Sequence, residues 1–294
     1  ITAGGERFDS QNFTDKLEWR VEKGYVGLKI PETQRKEIIG ELGKKLKTAL
    51  VRLPLSQWAS IRDILLSAIA ERHLLLWSTN PEINRTIVSQ GANGVFLPYP
   101  GDYLAVIDAN LSALKTDEVI KKSLDYHLQQ NDSGLLATVT INYRHQGSFS
   151  WKWTRYRTYT RIFVPLGSTL INSAGAQEND KIYDPPGRPG KVDIGQEGGK
   201  TFFGAFISIE PGQEKQLTFS YQLPKSLDAK AKTESYQLLV QKQAGTEALP
   251  LTLGFKFAKM IQGVQPGEII ENIEPQNVTL KTDLRVDREI RISF

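Results

Sequence analysis

The sequence predicts an α+β protein: a mixed helical part over residues 1–100, then a mainly antiparallel, immunoglobulin-like β-sandwich over residues 101–294. Three observations predict it. Apolar residues first recur at helical spacing, in Ile38, Ile39, Leu42, Leu46, Ala49, Leu50 and Leu53, then in Trp58, Ile61, Leu65, Ala68 and Ile69. From Tyr103 onward the apolar period falls to two. The strand-like runs that follow are separated by short Gly, Pro, Asn and Asp clusters, the punctuation of a many-stranded sandwich.

Along the first part, Leu17, Trp19 and Val21 alternate with Glu18, Arg20 and Glu22, which predicts a short half-buried strand broken by Gly24 and Gly27. The first helix follows Pro31 and stops before Pro54. Lys36, Lys44, Lys45 and Lys47 fill its other face, a solvated surface by default and a possible contact for an acidic partner. The second helix starts near Ser56 and ends near Arg72. The apolar run His73–Trp77 predicts a buried strand. Asn80, Pro81 and Glu82 then supply a cap, a first-turn proline and a first-turn acid for a short helix that reaches about Gln90 and closes at Gly91.

In the second part, Tyr103 to Ala109 reads as a strand. Ile120, Leu124, Tyr126 and Leu128, then Leu135, Ala137, Val139, Ile141 and Tyr143, flank the turn Asn131-Asp132-Ser133-Gly134 and predict a long hairpin. Residues 118–130 read as strand, with helix the alternative because Glu118, Lys121 and Lys122 are good helix formers. Thr158–Val164, Phe202–Ile209, Lys215–Leu223, Ser235–Lys242 and Leu249–Phe257 are further strands. Residues 171–200, rich in Gly, Pro, Asn and Asp, predict a long loop. Val278 to Phe294 alternates throughout, with a bend expected near Asp283 or Asp287 because strands this long usually split.

Composition narrows the chemistry. With 39% apolar and 24% charged residues in 294, a disordered chain is excluded. Lys and Arg number 37 against 33 Asp and Glu, a mild excess that neither requires nor excludes nucleic acid. The absence of cysteine excludes disulfides, thiolate metal sites and thiol catalysis. Histidine occurs only as His73, His127 and His145, which argues against a multi-histidine metal centre. No phosphate loop, nucleophile elbow, zinc-protease or calcium-loop signature occurs, so no catalytic residue, metal ligand or cofactor is assigned. Asp102, Asp108 and Asp117 fall near Lys115; an acid–base pair is conceivable there, with strand-end carboxylates the default.

The most unusual composition lies between Arg144 and Arg161. Arg144, Lys152, Arg155, Arg157 and Arg161 occur with no acid, interleaved with Phe149, Trp151, Trp153, Tyr156 and Tyr159. Aromatic faces stack on sugars or bases, and arginine takes carboxylates or phosphates. Arg144, His145, Trp151, Trp153, Arg155, Tyr156 and Arg157 are therefore the candidate binding residues. A half-buried strand with arginines laid along packed aromatics produces the same alternation.

Several stretches carry a resemblance. They are His73-Leu74-Leu75-Leu76-Trp77, Gly91-Ala92-Asn93-Gly94, Asp102-Tyr103-Leu104, Asp108-Ala109-Asn110-Leu111 and Lys115-Thr116-Asp117. Next come Thr140-Ile141-Asn142-Tyr143-Arg144-His145, Tyr156-Arg157-Thr158-Tyr159 and Arg161-Ile162-Phe163-Val164-Pro165-Leu166-Gly167-Ser168. Phe202-Phe203-Gly204, Pro211-Gly212, Tyr221-Gln222-Leu223-Pro224 and Gln241-Lys242-Gln243-Ala244-Gly245 complete the set. Over essentially its whole length the chain resembles the bacterial family of domain of unknown function 4012. The resemblance implies an envelope protein, anchored by an N-terminal membrane helix, of which this chain is the C-terminal part. It carries no catalytic residues over. The expected function is a non-enzymatic extracytoplasmic module at the cell envelope or surface, binding a glycan or a protein partner and reaching the membrane only through that missing anchor. The alternatives are the C-terminal part of an enzyme acting on envelope polymers, with its active site in the missing region, and a structural or assembly subunit that self-associates through a strand edge. A nucleic-acid partner ranks last, and would show steep salt dependence.

Overall fold

A computed structural model describes residues 1–179, 187–233 and 235–294. The chain divides into two compact units, Ile1–Leu66 and Ser67–Phe294.

The first unit opens with a small antiparallel ribbon, β1 (Thr2–Ala3) and β2 (Glu6–Arg7). Its turn uses Gly4 and Gly5 at φ of 54° and 79°, a region glycine enters without penalty. Helix α1 (Phe13–Trp19) runs through a π-helical turn, Arg20–Gly24, into the single turn α2 (Tyr25–Gly27). The strand predicted over 17–22 is therefore helix. Leu17 and Val21 stand four apart, a spacing that suits one helix face as well as it suits alternation. Both join the small core of Ala3, Phe8, Ile38 and Leu42, while Trp19 faces outward at 49% exposure. Helix α3 (Glu37–Val51) ends before Pro54 as its periodicity predicts, and supplies Ile38 and Leu42 to that core. A 3-10 turn, Leu55–Gln57, leads into α4 (Trp58–Ala70), and the unit boundary falls within this helix.

In the second unit, residues 73–77 form no strand. Leu75, Leu76 and Trp77 are exposed, and among the described residues the backbone there has one bond to a distant segment, Leu76 N–H to Ala92 O at 2.8 Å. An apolar run without a neighbouring ladder cannot be a buried strand. Helix α5 (Pro81–Ser89) forms as predicted, with the Asn80 side chain accepting from the N–H groups of Glu82 and Ile83 and Gly91 closing it at φ 64°.

The rest is a β-sandwich of two seven-stranded sheets. One sheet has the order β14 (Ile270–Ile273), β15 (Asn277–Asp283), β12 (Pro250–Lys256), β4 (Ile120–Asn131), β5 (Gly134–His145), β10 (Glu214–Gln222), β7 (Thr169–Ala174). The other has the order β13 (Gly263–Gln265), β16 (Arg288–Ser293), β11 (Ser235–Gln241), β3 (Asp102–Asn110), β6 (Tyr156–Pro165), β9 (Lys200–Ile209), β8 (Asp193–Glu197). Each sheet has one parallel junction, β12 with β4 and β11 with β3; every other pairing is antiparallel. Inward residues of both sheets, among them Leu124, Tyr126, Val139, Phe219, Ile162, Phe203, Leu238 and Ile290, form a single core. Helix α6 (Lys225–Thr233) follows β10.

Of residues 118–130, which the sequence reads as strand, 120–130 are strand, and 118 and 119 close a 3-10 turn at Thr116–Val119. The long C-terminal alternation splits between the sheets, β15 in one and β16 in the other, around buried Leu284. Arg288 braces this corner, donating to the Asp283 carbonyl at 2.7 Å and carboxylate at 2.6 Å. The loop predicted over 171–200 is shorter than expected, because β7 and β8 occupy its ends. Both are edge strands with mostly exposed side chains, so they lack the buried alternation that marks a strand in sequence. Of that segment, residues 180–186 lie outside the described residues.

Candidate functional site

The outer face of β4, β5 and β10 is a polar grid set by register. Lys121, Arg144 and Glu214 stand side by side, as do Ser123, Asn142 and Gln216, then Asp125, Thr140 and Thr218, then His127, Thr138 and Ser220. Their alternate neighbours fill the core, which is why this face is free to carry polar groups. The grid is bonded internally. Asn142 donates to Asp125 at 2.8 Å and to Ser123 at 3.0 Å, Gln216 donates to Asn142 at 2.7 Å, and the Thr138 and Ser220 hydroxyls meet at 2.9 Å. A groove of about 550 Å³ lies over its first two rows, and a second of about 310 Å³ lies around His127, Thr138 and Thr279. Gly254 admits the second: a Cβ there would collide with the His127 ring.

At Arg144 the chain leaves the grid and enters the loop 146–155. Buried groups hold the loop's base. His145 is 1% exposed; its Nδ1 accepts the Gly147 N–H at 3.1 Å, so Nε2 carries the proton and donates to Thr154 O at 2.9 Å. The Thr116 hydroxyl, also buried, donates to Thr154 O at 3.1 Å and accepts the Thr154 N–H at 2.9 Å. At the tip, Ser150 N–H donates to Trp153 O, and Ser150 Oγ accepts the N–H groups of Lys152 and Trp153. The Trp153 indole donates to Glu118 at 3.4 Å, and Lys152 pairs with the same carboxylate at 2.6 Å. With both base and tip fixed, Trp151 is left 42% exposed and Phe149 63% exposed, while the backbone of Trp153 bridges that of Leu114.

The seven candidate residues therefore separate. Trp151 and Arg144 face solvent; among the described residues Arg144 has an exposed pairing with Glu214 at 3.2 Å. His145 and Tyr156 are buried and position the loop and strand, with the Tyr156 hydroxyl donating to Asp117 at 3.0 Å. Burial, with Asp108 and Asp117 nearby, pushes the Tyr156 phenol far above its usual range. Arg155 pairs with Glu210; Arg157 donates to Asn179 at 2.7 Å and lies over the Phe206 ring; Trp153 is held by Glu118. The polar grid lay outside the sequence reading. Its signal is a set of polar residues at alternate positions in neighbouring strands, and β10 joins β5 only through the fold.

Asp102 and Asp108 lie six positions apart on β3; Asp102 is buried, and Asp108 is half-buried with its side chain turned inward. Lys122 donates to Asp108 at 2.8 Å, joined by the hydroxyls of Tyr143 at 2.8 Å and Thr160 at 2.6 Å. Asp102 accepts from the hydroxyls of Tyr126 and Tyr236 and from the Tyr103 N–H at 2.7 Å. Burial pushes the Asp102 carboxyl up to about 6, against the pull of those donors. The surrounding phenols of Tyr126, Tyr221 and Tyr236 are pushed up as well, first by burial and then by the Asp102 charge. Asp117 binds Asn110 and Tyr156, so the three aspartates are spread over separate contacts.

No family model matches the chain. No curated protein matches it. Among solved structures it is similar to a "putative nutrient binding protein" of Legionella pneumophila, with a TM-score of 0.38 at 8% identity over 66% of this chain and 71% of that one. It is also similar to an M1 zinc metallopeptidase of Deinococcus radiodurans, with a TM-score of 0.27 at 10% identity over 63% of this chain and 43% of that one.

Proposed function

We propose that the chain is a non-enzymatic, extracytoplasmic module of a bacterial cell envelope, and that its sandwich binds a glycan at the loop 146–155 and the adjoining polar grid. The envelope assignment rests on the motif resemblance to domain of unknown function 4012. One observation carries the glycan assignment: a loop locked at base and tip presents Phe149 and Trp151 to solvent, and the strand that leads into this loop ends beside Arg144, a wall residue of the 550 Å³ groove. A sugar ring offers an apolar C–H face, which stacks on an indole, and adjacent hydroxyls, which bridge planar amides and carboxylates. Trp151 supplies the first, and Asn142, Gln216, Asp125 and Arg144 supply the second. Because the loop is already ordered, little conformational freedom is lost on binding. An array of bacterial envelope polysaccharides, followed by calorimetry on the best ligand, tests this. Trp151→Ala with Phe149→Ala is expected to weaken binding at least tenfold, and unchanged affinity in that variant contradicts the reading.

A second reading, an assembly subunit, is favoured by a different observation. Three edge strands, β7, β8 and β14, each carry an exposed isoleucine: Ile171 at 62%, Ile194 at 63% and Ile273 at 49%. It predicts concentration-dependent growth in light scattering that Ile171→Lys with Ile194→Lys suppresses. A constant monomer mass removes it.

A further inference from the structure

The first unit displays an apolar surface that the sandwich chemistry does not use. Helix α4 reads WASIRDILLSAIA, and none of its residues is buried. Within the unit, Leu55 is 89% exposed, Trp58 41%, Ile64 62%, Leu65 44% and Leu66 57%. Helix α3 adds Ile39 at 48%, Leu46 at 50% and Val51 at 72%. A 13-residue helix is marginal in water by itself, and most helical stability comes from covering an apolar face. Exposed apolar surface on this scale marks a contact.

Charge selects the occupant. Residues 36–63 hold six cations, Lys36, Lys44, Lys45, Lys47, Arg52 and Arg62, against Glu37, Glu41 and Asp63. Lys45 pairs with Glu41 and Arg62 with Asp63, while Lys36, Lys44, Lys47 and Arg52 are exposed and in no ion pair among the described residues. Exposed apolar side chains including a tryptophan, in the same segment, residues 36–66, as exposed lysines with no described ion pair, match the boundary between acyl chains and anionic headgroups. A second copy would bring the same excess positive charge against itself. At 13 residues α4 is about 20 Å long, short of the ~30 Å hydrocarbon layer, so the membrane contact its length allows is with the bilayer surface.

We propose that residues 36–66 dock on the surface of an anionic lipid bilayer, with Leu55, Trp58, Ile64, Leu65 and Leu66 in the acyl boundary and Lys36, Lys44, Lys47 and Arg52 at the headgroups. Sedimentation of the full chain with vesicles tests it, using phosphatidylcholine alone or mixed with phosphatidylglycerol. Binding is expected on the mixed vesicles, about tenfold or more above that on phosphatidylcholine, and falling with added salt. Lys44→Glu with Lys47→Glu lowers it by on the order of fivefold or more per cation. Leu55→Glu with Ile64→Glu abolishes it while far-UV circular dichroism is unchanged, both positions being exposed. The proposal is overturned if mixed vesicles do not bind the chain, or if either variant binds as tightly as the parent. A dimer in sedimentation velocity that Leu55→Glu with Ile64→Glu dissolves, without vesicle binding, overturns it in favour of a second copy.

Discussion

The sandwich and the helical unit treat apolar surface in opposite ways. The sandwich seals Tyr126, Tyr143, Phe203, Phe219 and Tyr221 between two sheets, each at 1% exposure or less. The helical unit has a core of five buried residues and leaves α4 with none. The same residue types therefore do different work. In the sandwich they hold the fold; on α3 and α4 they are available to something outside it. Substitutions should separate the two cleanly.

The largest contrast is expected from truncation. Phe219→Ala empties a site that is 0% exposed, and should cost about 3–5 kcal/mol in urea unfolding. Leu55→Ala, at a position 89% exposed, should stay within about 0.5 kcal/mol. Equal losses would erase the distinction between the regions.

Within the sandwich, the two β3 carboxylates sharpen it further. Asp108 has a cation, and Asp102 has none among the described residues. Lys122→Met leaves the Asp108 carboxylate with the hydroxyls of Tyr143 and Thr160 and without its cation, and should cost about 1–3 kcal/mol in the same assay. Asp102 behaves differently, because its folded-state value of about 6 stands above the ordinary 3.8. The folded protein therefore holds a proton that the unfolded chain has lost between those values. The associated stability is complete below about pH 4 and is lost as pH rises through 6, a swing of about 3 kcal/mol at most. Asp102→Asn removes the titration, so the gap between variant and parent should change across that window. Parallel curves from pH 4 to 7 would show that Asp102 is not strained by burial.

Most of the sandwich was legible in the sequence; the exposure of the apolar stripe on α4 was not, because helical spacing marks an apolar face without saying what covers it. The hairpin 120–145, β10, β12 and the split C-terminal run show alternation, because each has one face in the core and one outside it. β9 and β11 are largely buried on both faces and show instead as apolar runs that include β-branched and aromatic residues. Where neither signal holds, the reading fails. Leu17 and Val21 satisfy both periods, and the local helix won. His73–Trp77 is apolar but has no ladder to join. Edge strands β7 and β8 have little buried face to betray them. The site divides in the same way. The basic-aromatic run stood out by composition alone, yet His145 and Tyr156 turn inward while Trp151 turns outward, which depends on the bonds from Thr116, Thr154 and Asp117. The Gln216–Asn142 contact, 74 residues apart in the chain, had no local signal at all.

The smallest expected effect on stability belongs to the residue on which the functional reading rests. Trp151→Ala removes an exposed ring from a loop whose anchors are all elsewhere, so unfolding should shift by no more than about 0.5 kcal/mol. Calorimetric titration of parent and Trp151→Ala with the best envelope glycan is the direct measurement. The account predicts that affinity falls at least tenfold while the unfolding curve stays in place; equal affinity in the two proteins would contradict it.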